Sequence, residues 1–397
     1  MKEIHKIKIE PLTAVHIGTG EKILPLDYKL ATPKNSEKKR YVKFDSDKII
    51  SSILKSEDKS LIQKLQEASE SNDIDKLGKF FQEYFYKGIE YDAKVTNEFA
   101  NLFSRKIDDG LFSNALEVDQ MLHKENMPYI PGSSIKGAVR TAILNNILLC
   151  EIKDAPYNAL RNMADEEKQK DRLKKGSYEE KIQNAALQID DSKVKCSNAR
   201  KDPFRCLEIT DCKFSPKDQI VGCIKNIKVD RLTKELTETG MQIIAESIPG
   251  SLLKHNCSAE FLLRINTDLQ NIDFGETFHI NKKITIRDIV DSCNFFFKKQ
   301  FKEEYKKFYS DAMEHVDKEI VELGKMINSI TDTDNQFIIR LGRWSQVEFV
   351  TLGNDFRNPK TPSRRGKVMP YGTTRTVLNH DGQYIPMGWC KCTVESE

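Results

Sequence analysis

The chain lacks a Cys-x-x-Cys pair, a His-Glu-x-x-His motif and any apolar run long enough to span a bilayer. The nine cysteines are scattered, and the close pairs Cys206/Cys212 and Cys390/Cys392 fit neither a disulfide framework nor a zinc site. Buried reduced thiols are the expectation. The first residues, MKEIHKIKIEPLTAVHIGTG, alternate apolar and polar and have no continuous apolar core of a signal peptide, so a cytoplasmic location without membrane contact is expected. A charge surplus is missing too: 63 Lys plus Arg against 60 Asp plus Glu leave +3, so affinity for a polyanion has to come from local clustering. No short repeat recurs along the sequence.

What is present is a long, well-charged globular chain. At 397 residues it exceeds what one hydrophobic core normally serves, and two domains or one domain with large insertions is the prior. Ile4, Ile7 and Ile9, then Leu12, Val15 and Ile17, predict an opening strand broken near Pro11 and ending in a Gly18-Thr19-Gly20 turn. From about 21 to 127 the pattern turns charged and helical, with apolar helical spacing over Leu77 to Phe85 and a disordered tip expected at 35–40. This reads as an insertion.

Tyr129-Ile130-Pro131-Gly132 halts the chain, and Ser133-Ser134 opens a helix with Ile135, Val139, Ala142, Ile143 and Ile147 at helical spacing. A second charged insertion covers about 151–204. Leu207 with Ile209, and Ile220 to Val229, then predict two strands about a turn at Ser215-Pro216, and Cys257 to Ile265 predicts another. Helices are expected from Ile286 to Phe301 and from Glu303 to Ser329, a glycine turn at Gly342, and a closing strand near Trp389 to Val394. Strand, helix, strand, strand is the start of a ferredoxin-like βαββαβ unit, whose open sheet face is the platform of RNA-recognition motifs. The expected fold class is therefore α+β, with two ferredoxin-like, RRM-like units. The first spans 1–256 with the two insertions, and a degenerate second spans 257–397.

The segment Pro131 to Arg140 (PGSSIKGAVR) carries the most chemistry. Small residues at a helix N-terminus leave N–H groups free for an anion, the helix dipole adds positive potential, and Lys136 and Arg140 share one face. Serine caps and solvated Lys and Arg are also ordinary features of surface helices. A nucleotide-hydrolysing P-loop is excluded because Ala138, not Lys, follows Gly137. Between Arg340 and Arg375, eight basic residues (Arg340, Arg343, Arg357, Lys360, Arg364, Arg365, Lys367, Arg375) face two acidic ones (Glu348, Asp355), with Trp344 and Phe356 among them. Cations interleaved with aromatics suit single-stranded RNA, and a basic loop around core aromatics gives the same composition.

The phrase YIPGSSIKGAVRTAIL (Tyr129 to Leu144) resembles the glycine-rich helix motif of the RAMP superfamily of CRISPR systems. AVHIGTGEKILPLDY, DPFRCLEITD, LGRWSQVEFVTL, Pro359-Lys360-Thr361 with Arg364-Arg365, and IPMGW are similar, in order, to landmarks of the type III-A (Csm) member that caps the 3′ end of the guide RNA. The long insertions between them carry no such landmark. The resemblance implies paired RRM-like units, binding of the guide crRNA 3′ region, docking on the adjacent Csm backbone subunit, a role in crRNA maturation, host nucleases as candidate partners that trim the guide, no cofactor and no nuclease activity. By position it makes Gly132, Ser133, Ser134, Lys136, Gly137 and Arg140 RNA contacts. The residues themselves add, as candidate RNA contacts, His16, Gly18 and Gly20 at the first glycine turn and Arg340, Arg343, Trp344, Lys360, Arg364 and Arg365 in the basic stretch.

The competing reading is a RAMP-type endoribonuclease that processes repeat RNA, which needs a general acid or base. His16 is the one histidine beside a motif, and strand alternation would turn it to the opposite face from its neighbours. His5, His123, His255, His279, His315 and His380 have no metal spacing, and Asp27, Asp45 and Asp108-Asp109 form no recognisable catalytic pair.

Overall fold

The computed structural model describes residues 2–34, 36–107, 114–169, 177–187, 201–230, 233, 235–272, 280–310, 318–331, 333, 335–353, 355–357 and 372–395. It is an α+β protein with two principal sheets. The opening strand, Lys2–Pro11, is central to a five-stranded antiparallel sheet. Its neighbours are Ala259–Asn266 on one side, followed by Leu207–Ile209, and Trp389–Val394 on the other, followed by Gln336–Arg340. Period-two alternation decides which face is buried: Ile7 and Ile9 point inward beside Phe261, Leu263 and Ile265.

Helices Gly132–Asn146 and Ile286–Phe308 share the core beneath that sheet. The longer one starts at a capping box, in which Thr285 accepts from the Asp288 N–H and the Asp288 carboxylate accepts from the Thr285 N–H. It ends with Lys306 and Lys307 beside the negative pole of its dipole. Phe296, Phe297 and Phe301 fill the interface. At the start of the other helix, a Cβ on Gly132 would stand 2.1 Å from the Ile209 carbonyl oxygen, so only glycine permits this approach of helix to strand.

The second sheet has nine strands. Its path is Gly18–Ile23, Val118–Met121, Leu236–Ser247, Ile220–Val229, Ile89–Val95, Arg40–Phe44 and Tyr28–Ala31, with Arg375–His380 and Gln383–Pro386 branching from Ile220–Val229. Several expectations change here. Gly18-Thr19-Gly20 begins a strand instead of closing one. The stretch 21–127 supplies helices Ser46–Lys55, Lys59–Glu70, Ile74–Tyr84 and Asn97–Ile107, but also four whole strands of this sheet, Tyr28–Ala31, Arg40–Phe44, Ile89–Val95 and Val118–Met121. Those strands are short and embedded in charged sequence, which hides their alternation. Leu207–Ile209 and Ile220–Val229 fall in different sheets. Leu236–Ser247 escaped notice because its first half (LTETGMQ) is half or fully exposed and interrupted by Gly240.

In the stretch read as one helix from Glu303 to Ser329, residues 303–308 complete the helix begun at Ile286, and a separate helix covers Lys318–Ser329. Asn35 lies outside the described residues, and the rest of 36–40 leads into the hairpin strand Arg40–Phe44. Residues 257–397, expected to form a second unit, place strands in both sheets, and the five-stranded sheet draws on both sides of position 256. No described helix is long and apolar enough to cross a membrane.

The open face of the five-stranded sheet differs from an RRM platform. In place of stacking aromatics it carries alternating charges: Lys6 pairs with Glu260 (2.8 Å) and Glu395 (3.1 Å), Lys391 with Glu10 (2.9 Å) and Lys8 with Glu10 (3.1 Å). Lys2 and Arg264 share Glu208 (3.9 Å each) on the same face, so its five described cations are engaged by four carboxylates and it offers RNA no aromatic stacking and little free charge.

Candidate nucleic-acid interface

Three glycine-marked segments distant in sequence converge on one open cleft of about 700 Å³. One wall is Ile17 to Gly20 with Lys22, another is the helix face Ser134, Gly137, Ala138 and Thr141, and the third is Leu341 to Arg343 with Phe349 and Val350. The helix residues recur at i, i+3, i+4 and i+7, so one stripe of small side chains faces the opening. At Gly137 no atom stands within 4 Å of where a Cβ would be, leaving room for a ligand to approach the backbone.

Lys136 and Arg140 lie on a different face of that helix. Lys136 Nζ donates to the Leu207 carbonyl (2.7 Å), and burial lowers its pKa from the ordinary lysine value. Arg140 donates to Asp202 (2.7 Å) and Gln183 (3.1 Å) and covers the Phe204 ring. Both cations clamp the 202–207 segment to the helix. Gly132 donates its N–H to Asp211 Oδ1 (3.0 Å), so an internal carboxylate already occupies part of the helix N-terminus. Ser133 is exposed and Ser134 lines the cleft.

His16 sits behind the cleft wall at 1% exposure, not on a strand face turned outward. Its Nδ1 is 2.6 Å from the Glu246 carbonyl oxygen, and its ring stacks on Trp344 with centroids 4.6 Å apart. Burial lowers its pKa, which keeps the ring neutral and makes Nδ1 the donor; Nε2 is buried without a hydrogen-bond partner. The His16 carbonyl accepts from the Arg343 N–H (3.0 Å). Gly342 makes that contact possible: its φ of +93° suits glycine, and a Cβ there would stand 2.4 Å from the same carbonyl oxygen. Beneath, the fully buried Glu246 accepts from Tyr91 OH (2.7 Å) and the Met121 N–H (2.9 Å), and burial raises its pKa above the usual carboxylate range.

Arg343 is an exposed cation at the rim, 2.6 Å from Asp119 Oδ2. Arg340 is fully buried at the cleft floor, 2.9 Å from Glu304 and over the rings of Phe349 and Trp389. Glu304 also pairs with Arg375 (2.8 Å), which pairs with Glu348 (3.0 Å). Three of the eight basic residues read between 340 and 375 are therefore held inside the protein: Arg340 and Arg375 in this network, and Arg357 buried with its guanidinium donating to the Glu348 carbonyl (3.2 Å). Lys360, Arg364 and Arg365 lie outside the described residues, as do Lys367, His279, His315 and Asp108-Asp109. Lys22 and Asp119 were missed. Lys22 stands two residues beyond a motif that had been singled out, whereas Asp119 occupies a short strand within the presumed insertion. Among the described residues, no cluster of His, Cys, Asp and Glu could hold a metal ion, and the described cysteines other than Cys150 are buried and unpaired.

The chain is 25% identical over 323 residues to the CRISPR system protein Csm5 of Methanocaldococcus jannaschii, covering 73% of this chain and 68% of the relative. Its fold resembles a chain of a cryo-EM structure of a Csm–crRNA–target RNA ternary complex from a type III-A CRISPR–Cas system. The TM-score is 0.62 at 16% identity, covering 99% of this chain and 100% of the other. It also resembles the crystal structure of T. onnurineus Csm5, with a TM-score of 0.58 at 13% identity over 96% and 99% of the two chains. The RAMP superfamily model matches residues 8–342, from the opening strand to the glycine turn at the cleft rim, and the chain belongs to the RAMP superfamily.

Proposed function

We propose that this chain is a non-catalytic, RNA-binding subunit of a type III-A Csm effector complex, holding the 3′ region of the guide crRNA and docking on the adjacent backbone subunit. The observation that carries this reading is the convergence of the Gly18, Gly137 and Gly342 segments on one cleft with basic residues at its rim. Small residues let a sugar-phosphate backbone come close, and Lys22 and Arg343 supply charge to meet it. The similarity to Csm5 and to a chain of a Csm–crRNA–target RNA complex supports the same assignment.

The five-stranded sheet also supports a ferredoxin-like unit. In chain order, Lys2–Pro11, Gly132–Asn146, Leu207–Ile209, Ala259–Asn266, Ile286–Phe308 and Trp389–Val394 give strand, helix, strand, strand, helix, strand, with Gln336–Arg340 as an added edge. A nuclease role would ask His16 for general acid or base work, and its buried, neutral ring with an occluded Nε2 is poorly suited to it.

The test is affinity purification of a tagged copy expressed with its native operon. Recovery of guide RNA together with other Csm subunits is the expected result, and recovery of the chain alone would overturn it. Incubating purified, metal-free protein with labelled repeat RNA completes the test: no discrete product is expected, and a single cleavage product would replace this reading with the endoribonuclease. Recovery of host nucleases with the complex would extend the proposal to recruitment for guide trimming.

A further inference from the structure

The described rim of the cleft carries two exposed cations and one carboxylate, Asp119, within ion-pair distance of both. Asp119 Oδ2 lies 2.6 Å from Arg343, and Asp119 Oδ1 lies 3.9 Å from Lys22 Nζ. Asp119 cannot withdraw. It sits on Val118–Met121, between two partner strands, with Lys22 opposite on one side and Ala245 on the other. Its side chain is 9% exposed, whereas those of Arg343 and Lys22 are 53% and 54% exposed. Arg343 can move only beyond its Cα, because its backbone is fixed by the Gly342 turn and the bond to the His16 carbonyl. Lys22 has a second partner in Glu117, 2.8 Å away.

A carboxylate and a phosphodiester accept from a guanidinium in the same way. A strand entering the cleft therefore meets Arg343 already engaged, and a fixed negative charge facing its phosphates. We propose that Asp119 is a built-in competitor of RNA phosphate: it holds Arg343 in the unliganded protein and yields it to the entering backbone, with Lys22 left as its counter-ion. This inference rests on the cleft being the RNA site. Its consequence is selectivity for a continuously held guide. An isolated phosphate contact must displace the internal ion pair and repel Asp119, so short or passing RNA is retained weakly, while a long strand offsets that cost through its other contacts.

The test compares full-length wild type, Asp119→Asn, Arg343→Ala and the double variant in binding a fluorescein-labelled oligo-uridine RNA across a salt series. Asp119→Ser is run beside the Asn variant, and thermal melts identify the folded proteins, so that loss of folding in one leaves the comparison with the other. Asp119→Asn is expected to tighten binding about tenfold and to steepen the salt dependence by roughly 0.7, one phosphate's worth for a single strand. The gain should vanish in the double variant. If Arg343→Ala weakens binding while the folded Asp119 variants bind at or below wild-type strength, Asp119 merely positions Arg343 and the competitor is wrong. If neither Arg343→Ala nor the Asp119 variants change binding, the cleft is not the RNA site and the functional reading falls with it.

Discussion

At the scale of single residues, His16 shows how a motif neighbour can matter without touching a ligand. Its Nδ1 bond to Glu246, its stack on Trp344 and its carbonyl bond to Arg343 join the Gly18 segment to the Gly342 turn. Its pKa is depressed by burial, so the unfolded chain takes up a proton more readily than the folded one. The stability it contributes is therefore fully present above the unfolded value of about 6.5 and is lost as pH falls toward the depressed folded pKa. Glu246 works oppositely, since its raised pKa means that deprotonation at rising pH penalises the folded state. The informative quantity is thus a difference. Thermal melts of wild type and His16→Gln should converge as pH is lowered from about 7 to 5, with wild type the more stable at the upper end. Parallel curves would mean that the folded and unfolded chains protonate His16 equally, so that burial does not depress its pKa. His16 was legible in the sequence as a residue beside a glycine turn. Its burial was not, because the covering ring, Trp344, lies more than three hundred positions away.

At the scale of elements, the glycine-motif helix was the most legible feature, and the roles of its side chains were the least. Apolar spacing located Gly132–Asn146 to within a residue at its start. Spacing could not say which of the polar faces would meet the cleft, because that depends on the segment 202–207 packed against it. Lys136→Ala with Arg140→Ala should therefore lower stability by about 1–2 kcal/mol through the lost Asp202 pair and the Phe204 contact, measurable in urea unfolding. A change in RNA salt slope with unaltered stability would instead give these cations to the ligand. The buried network makes a stronger demand. Glu304, on the long helix, is the shared partner of Arg340 and Arg375, which belong to different sheets. Glu304→Gln leaves the buried Arg340 guanidinium without its carboxylate and Arg375 with Glu348 alone, and should cost about 3 kcal/mol or more in the same experiment. Composition alone counted Arg340 and Arg375 as surface charge, since their acidic partners, apart from Glu348, lie outside the window being counted.

Across the whole molecule, the α+β class and the order of the principal elements follow from alternation and helical spacing, but the division of strands between two sheets does not. Strands such as Gly18–Ile23 and Val118–Met121 gain their place from partners nearly a hundred residues away, and local pattern carries no record of that pairing. The division matters because it leaves two surfaces that compete for the role of RNA site. The open face of the five-stranded sheet is a lattice of exposed ion pairs, whereas the cleft joins small residues to two rim cations, Arg343 paired with Asp119 and Lys22 with Glu117. Removing charge from the lattice with Lys6→Ala and Lys391→Ala should change stability by under about 1 kcal/mol and leave guide RNA recovery from the assembled complex at the wild-type level. Removing it from the cleft with Lys22→Ala and Arg343→Ala should lower the RNA recovered per copy of this chain, most visibly in high-salt washes, since each lost phosphate contact reduces the counter-ions released on binding. Both pairs remove the same number of positive charges, so a difference between them reflects position and not net charge. Equal RNA loss from the two would return the open sheet face to the interface, and loss from the lattice pair alone would move the RNA site there.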